Sequence, residues 1–292
     1  MTRMLVTDLD NTLYDWVTFY ATAFQAMVDS LTQLLHVDQS QLLAEFKSVH
    51  QKYRNIEQPF AALELPSVIH RFGHQSRREL MMKLDEPFHA FNRARKSTLK
   101  LYDSVQESLS SLDNSGVVIV GFTEAMPANS FYRLKQLGIS ERFSRLYAVE
   151  GTYAGHPIPE RGSALAPPPN KVRQIPRDNR KPSPKALLDI CDSESIPPEQ
   201  TWYVGDSIAK DIAMAKNAGV FAVWARYGTV YDQRLWSILV GVTHWTEEDA
   251  RREAEQRHLS EQVRPDYTID SFGELLTIFE MPPPSVSTLE SF

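Results

Sequence analysis

Short apolar runs, separated by stretches with helical spacing, organise most of this chain. Met4-Leu5-Val6 reads as a buried strand that gives way at once to the polar Asp8-Leu9-Asp10-Asn11-Thr12. Val117-Val118-Ile119-Val120 repeats the pattern and ends at Gly121-Phe122-Thr123-Glu124, and Trp202-Tyr203-Val204 ends at Gly205-Asp206-Ser207. Val220 to Trp224, just after the helix-stop residue Gly219, and Tyr267-Thr268-Ile269 supply two further strands. Between the runs, Val105, Leu109 and Leu112 recur at helical spacing, as do Ile208, Ile212 and Ala215. Alternating strands and helices predict an α/β fold built on a parallel sheet, whose ligands bind in the crevice at the carboxyl ends of the strands. Asp8, Thr123 and Asp206 each follow a strand, so three distant parts of the chain can converge there.

From Tyr14 to about Lys100 the strand pattern disappears, and apolar residues such as Phe24, Met27, Val28, Leu31, Leu34 and Leu35 take helical spacing. The expected organisation is a discontinuous core, 1–13 and 101–280, with 14–100 inserted as an α-helical cap that closes over the strand ends. Gly155 to Pro184 is rich in proline and basic residues and reads as a long surface loop. Thr246 to Asp249 resembles a capping box opening a charged helix that runs to about His258, and 281–292 reads as a flexible tail.

Composition narrows the function classes. The 292 residues are 42% hydrophobic and 23% charged, ordinary for a globular protein with a sizeable core. Lys and Arg total 31 against 37 Asp and Glu, and no basic run or basic-aromatic stripe suggests nucleic acid as a partner. The lone Cys191 allows no intrachain disulfide and no cysteine-rich metal site, which fits a reducing, cytoplasmic setting. Carboxylates arrive before any apolar stretch of signal length, and no segment approaches a membrane span.

The chemistry concentrates at the strand ends. Asp8 and Asp10, two apart, present paired carboxylates to one side if extended geometry persists, an arrangement that suits phosphoryl transfer: one attacks phosphorus, the other handles protons. The same five residues also suit a polar turn capping the next helix. Asp206 and Asp211 offer oxygen ligands of the kind magnesium prefers, or serve as a helix cap and a first-turn acid. Thr123 is a phosphate-binding hydroxyl or an ordinary cap. Lys181, in Arg180-Lys181-Pro182-Ser183-Pro184, is held near developing negative charge or solvated, with Lys171 and Lys185 as competitors.

Taken in order, Asp-x-Asp-x-Thr, a post-strand Thr, Lys-Pro-x-Pro and Gly-Asp-Ser-x-x-x-Asp resemble the motifs of the haloacid dehalogenase-like hydrolases, and the helical insert after the first motif is similar to the cap of that superfamily's first cap class. The resemblance spans residues 4 to about 228, more weakly 265–279, and implies a Rossmann-like parallel-sheet core with an inserted cap. It implies Asp8 as nucleophile and metal ligand, and Asp10 as general acid/base that also lends its main-chain carbonyl to Mg2+. Asp206 and Asp211 complete the implied metal site, while Thr123 and Lys181 hold the phosphoryl group. Asn11 and Glu124 join the expected substrate contacts, and Thr12 orients the first loop. Glu124 departs from the family pattern, which often has a small or amide residue there, and the long loop before Lys181 is a second departure.

The implied activity is magnesium-dependent hydrolysis of a small phosphomonoester: a sugar phosphate, nucleotide, flavin phosphate or organic-acid phosphate. Asp10 favours phosphate chemistry over dehalogenation, in which no alkoxide needs a proton. A phosphomutase on the same core and a non-catalytic phosphate-binding protein are alternatives. Phosphonate hydrolysis would need a cap lysine, and Lys47, Lys52 and Lys83 have no distinctive context. Tyr14, Trp16, Arg71, His74 and Arg77 are expected to pack or be solvated rather than to face the cleft.

Overall fold

Four consecutive buried residues make β1 (Met4–Thr7) a strand covered on both faces, and it lies in the middle of the sheet. The computed structural model describes residues 3–58, 60–151 and 167–280. With β2 (Val118–Thr123), β3 (Arg145–Val149), β4 (Val172–Ile175), β5 (Thr201–Gly205), β6 (Phe221–Ala225) and β7 (Tyr267–Ile269), β1 forms a seven-stranded sheet ordered β4-β3-β2-β1-β5-β6-β7. Every pairing is parallel. The order turns back between β1 and β5, so the crevice at a topological switch point opens beside the end of β1.

The helices are α1 (Trp16–Leu35), α2 (Gln39–Tyr53), α3 (Pro66–Phe72), α4 (Arg77–Lys83), α5 (Asp85–Thr98), α6 (Val105–Asn114), α7 (Pro127–Gln136), α8 (Pro184–Glu194), α9 (Ala213–Asn217), α10 (Gln233–Gly241), α11 (Glu247–Leu259) and α12 (Glu274–Glu280). Side-chain alternation along β1 feeds two cores. Leu5 packs with Val105, Leu109, Trp202 and Leu275 on one face, and Met4 and Val6 pack with Ile190, Tyr203 and Ile212 on the other. A third cluster belongs to the helical layer, where Phe24, Met27 and Leu31 of α1 meet Leu42 and Phe46 of α2 and Leu63, Val68 and Leu84. Leu239 of α10 and Val242 join this cluster from a part of the chain beyond β6. Among the described residues no helix is long and apolar enough to cross a membrane.

All five expected strands form, and the capping box does too: Thr246 N donates to Asp249 Oδ2 at 2.9 Å and Asp249 N returns a bond to the Thr246 hydroxyl at 3.2 Å. Two strands escaped the sequence pattern. β3 opens on Arg145 and lacks an unbroken aliphatic run, yet is buried from Leu146 to Val149 between β2 and β4. The expected surface loop 155–184 needs correction, because Val172–Ile175 within it forms β4. Only Ile175 of that strand is buried; pairing with β3 holds it at the sheet edge without the hydrophobic pattern a central strand needs. The first part of that loop, through residue 166, and the expected tail 281–292 lie outside the described residues.

His50 ties α2 to the end of α10. It is 1% exposed, packs against Phe24 and Phe46, and donates from Nδ1 to the Val242 carbonyl at 2.8 Å. Burial lowers its pKa from 6.5 to about 4. Between these values the unfolded chain binds a proton that the folded protein rejects, so stability is present above about pH 6.5 and falls, by up to about 3 kcal/mol, as pH drops towards 4. Urea unfolding across that range is expected to show the loss, and His50→Gln to flatten part of the slope.

Candidate active site

Adjacent strands deliver the central residues. The register aligns Thr7 with Gly121 and with Val204, and Asp8 N donates to the Val204 carbonyl at 2.9 Å, so the chain leaves β1, β2 and β5 at one level. Asp8 and Asp206 therefore meet in the crevice, with Thr123 at the end of the neighbouring β2. A π-helical turn, Ile208–Ile212, follows β5 and folds Asp211 back so that its Oδ2 accepts from Ser207 N at 3.0 Å while Oδ1 accepts from Tyr203 OH at 2.8 Å. Gly205 makes this return possible: a Cβ there would lie 2.5 Å from Asp211 Oδ2.

Lys181 closes the group. Its Nζ lies 2.5 Å from Asp8 Oδ1 and 2.7 Å from Asp211 Oδ1, with all three residues buried. The competing lysines are elsewhere: Lys171 donates to the Phe143 carbonyl at 3.1 Å, and Lys185 pairs with Asp189 on the surface. One carboxylate oxygen from each of Asp8, Asp206 and Asp211 lies within 4.8 Å of the others. Burial pushes Asp8 up from 3.8 to about 7 against the pull of Lys181, with Asp211 and Asp10 adding to the rise. Burial, then Asp211 and Asp8, likewise hold Asp206 well above the usual carboxylate range. Burial opposes the Lys181 charge, but Asp211 and Asp8 outweigh it and keep the ammonium firmly protonated. One ammonium facing three carboxylates leaves a charge deficit, and an all-carboxylate oxygen donor set suits a hard divalent cation.

Asp10 points into different surroundings. Tyr14 OH donates to its Oδ1 at 2.7 Å and Arg133 Nη2 approaches to 3.3 Å, so its carboxylate is outside the three-carboxylate group. Burial raises its pKa, opposed chiefly by Arg133. Arg133, on α7 and 2% exposed, also donates to Glu57 Oε1 at 2.7 Å and lies over the Tyr14 ring at 5.7 Å. Glu57 further accepts from Trp16 Nε1 at 2.5 Å and from Asn129 Nδ2 at 2.8 Å. Sequence reading missed Arg133 and Glu57 and expected Tyr14 and Trp16 only to pack. No motif signals them, since Glu57 and Arg133 are distant in sequence and meet only through folding.

The remaining expected residues have mixed placements. Thr123 is 1% exposed and its Oγ1 accepts from Ala125 N at 3.0 Å. Glu124 pairs with Lys210 at 3.0 Å and lines a cleft of about 900 Å3 that also reaches Asp10, Lys181 and Trp16. Asn11, at φ 57, turns its Oδ1 to Trp16 N at 3.1 Å, and so holds the start of α1. Thr12 is buried, and its carbonyl accepts from Tyr227 OH at 2.6 Å.

The haloacid dehalogenase-like hydrolase family model matches residues 2–219, and a related HAD-hydrolase-like model matches 179–275. The chain belongs to the haloacid dehalogenase-like hydrolases. A haloacid dehalogenase-like hydrolase domain-containing protein of Arabidopsis thaliana is 49% identical over 41 residues, 14% of this chain and 17% of that relative's length. Solved structures with the same fold include a 2-haloacid dehalogenase of Pseudomonas syringae (17% identity, 96% of this chain and 98% of that one, TM-score 0.55) and a HAD phosphatase of Thermococcus onnurineus (17%, 97% and 100%, 0.52). The Bacillus subtilis HAD-hydrolase YfnB, solved bound to magnesium, aligns with 15% identity over 96% and 99% at a TM-score of 0.50.

For this family member, a divalent cation is expected to raise the thermal midpoint of metal-free protein, with roughly 2.7 kcal/mol of stabilisation at a hundredfold excess over Kd. The effect grows from about pH 5 to about pH 8, because the cation competes with the proton on Asp8, and Asp206→Asn removes most of it. Gly228→Ala tests the packing behind the site: its Cβ would overlap the Asn11 carbonyl oxygen and lie 2.8 Å from Asp206 Cβ. Differential scanning fluorimetry is expected to show a lowered midpoint and a weakened cation response.

Proposed function

We propose that this hydrolase is a magnesium-dependent phosphatase that cleaves a small phosphomonoester through an aspartyl-phosphate on Asp8. The observation that carries the reading is the placement of two carboxylates of one loop in two environments: Asp8 on Lys181 beside Asp206 and Asp211, and Asp10 turned to Tyr14 and Arg133. Asp8, Asp206 and Asp211, with the Asp10 carbonyl that the family resemblance implies, would hold Mg2+, which when bound would supply charge that offsets repulsion between the anionic nucleophile and an anionic phosphate.

An Asp8 oxygen forms a bond to phosphorus as the ester P–O bond breaks, and Asp10 gives its proton to the departing alkoxide. Water then attacks the phosphorus of the acyl phosphate and passes a proton to Asp10, which frees Asp8 and inorganic phosphate. Lys181 and Thr123 hold the phosphoryl oxygens, and Lys181 keeps Asp8 oriented in its ionised form. Asn11 keeps the first loop in shape through Trp16 N–H. Asp10 favours this chemistry over that of the dehalogenase with the same fold, because halide leaves without a proton. The proposed setting is cytoplasmic, consistent with a single cysteine, and the proposed partner is a small phosphorylated metabolite rather than nucleic acid or membrane.

Phosphate release from a panel of phosphomonoesters, with and without Mg2+, tests the reading. Turnover is expected to need Mg2+ and to vanish in Asp8→Asn, and Asp10→Asn to lower kcat on alkyl esters by about a hundred- to ten-thousandfold. Halide release from 2-haloacids, without phosphate release from any ester, would overturn the reading.

A further inference from the structure

The cleft leading to Lys181 carries three guanidiniums that the chemistry above does not use. Arg54 follows α2 in the left-handed conformation, at φ 50, while Arg177 and Arg180 lie in the turn between β4 and Lys181; all three line the cleft. Arg177 Nη2 donates to the Arg54 carbonyl at 2.6 Å, which joins the end of α2 to that turn. Among the described residues none of the three side chains forms an ion pair.

Several carboxylates of the cleft hydrogen-bond elsewhere, although Glu124 and Asp249 offset part of the charge on Arg177, and Asp249 also interacts with Arg180. Glu57 is taken by Arg133, Glu124 by Lys210, and Asp249 by the Thr246 N–H and hydroxyl. Glu150 accepts from the main-chain N–H of Arg177 at 3.3 Å, and Asp178 also lines the cleft without pairing to the guanidiniums. Burial, then Arg180 and Arg54, lower the pKa of the half-buried Arg177, with Glu124 and Asp249 opposing, while Arg54 and Arg180 are exposed at the mouth of the cleft. His244 borders the same cleft with a buried Nδ1 that has no hydrogen-bond partner among the described residues, and burial, then Arg177, lowers its pKa to about 4, so it stays neutral beside the arginines. Guanidiniums bind carboxylate and phosphate through paired N–H donors, and an anion placed among them offsets their mutual repulsion.

We infer that Arg54, Arg177 and Arg180 form a subsite for a second anionic group, so that the protein selects phosphomonoesters carrying a carboxylate or another phosphate remote from the transferred phosphoryl group. The inference rests on the phosphatase reading for the direction in which substrate lies, with its reacting phosphate at Asp8 and its remainder along the cleft. Glu124 is consistent with this selection: its pairing with Lys210 reduces the repulsion it would otherwise exert on an entering anion.

Titration calorimetry on the Asp8→Asn protein with Mg2+ compares matched probes: 3-phosphoglycerate with glycerol 3-phosphate, and fructose 1,6-bisphosphate with fructose 6-phosphate. The anion-bearing member of at least one pair is expected to bind about tenfold more tightly, the first pair reporting a carboxylate and the second a phosphate. That ratio is expected to fall towards one in Arg177→Gln/Arg180→Gln and to shrink in Arg54→Gln. Where a variant fails to fold, the ratio in protein with all three arginines is expected to fall steeply with added salt. Ratios near one in both pairs with the arginines intact, or a ratio unmoved by the arginine changes, would overturn the subsite. Phosphate release from p-nitrophenyl phosphate by protein retaining Asp8 separates the two readings. Turnover without pair preference defeats the subsite alone, and pair preference without turnover of any ester defeats the phosphatase reading alone.

Discussion

One buried ammonium between two buried carboxylates sets the terms for this structure. Lys181 contacts both Asp8 and Asp211, and Asp206 adds a third acid within reach of the same point. Removing charges from water is costly, and a buried pair is sustained only by close geometry and further hydrogen bonds. The local architecture meets that demand through the Tyr203 hydroxyl, the Ser207 N–H, a π-helical turn and a glycine where any side chain would displace Asp211. Even so, three carboxylates face one ammonium, a set of oxygen donors that could hold a cation.

Asp10 illustrates how two residues of separation in sequence can mean separation in chemistry. Asp8 faces Lys181 and the other acids, whereas Asp10 faces Arg133 and the Tyr14 hydroxyl. Divergent surroundings are what allow two carboxylates to take different parts in one reaction. Arg133 is shared with Glu57, which also holds Trp16 and Asn129, so the environment of Asp10 depends on how the helical layer sits on the sheet. Packing in that layer thereby reaches the Asp10 carboxylate through Arg133 and Glu57.

The fold alone does not assign the reaction, because a dehalogenase and a phosphatase share it with this chain at 17% identity each. The assignment rests on the site, and the substrate on the cleft. There, beside Asp10, Glu124 and Lys181, the lining includes residues from the end of α2, from the turn after β4 and from the segment leading to α11.

Much of the frame was legible in the residue pattern. Five strands, the helical stretch from Tyr14 to about Lys100 and the capping box at Thr246 follow from local periodicity and local hydrogen bonding, which act over a few residues. β3 and β4 were not legible, because an edge strand and its polar-flanked neighbour are stabilised by pairing rather than by their own hydrophobicity. The positions of Asp8, Asp10, Thr123 and Asp206 at strand ends were set by the chain itself, since a polar residue directly after a buried strand has nowhere else to emerge. Tertiary structure alone decided that Lys181, and not Lys171 or Lys185, meets Asp8, that Asn11 turns to the start of α1, and that Arg133 and Glu57 surround Asp10. Those outcomes depend on contacts between residues far apart in sequence, and the energy of a buried charge is determined by the partners that folding brings to it.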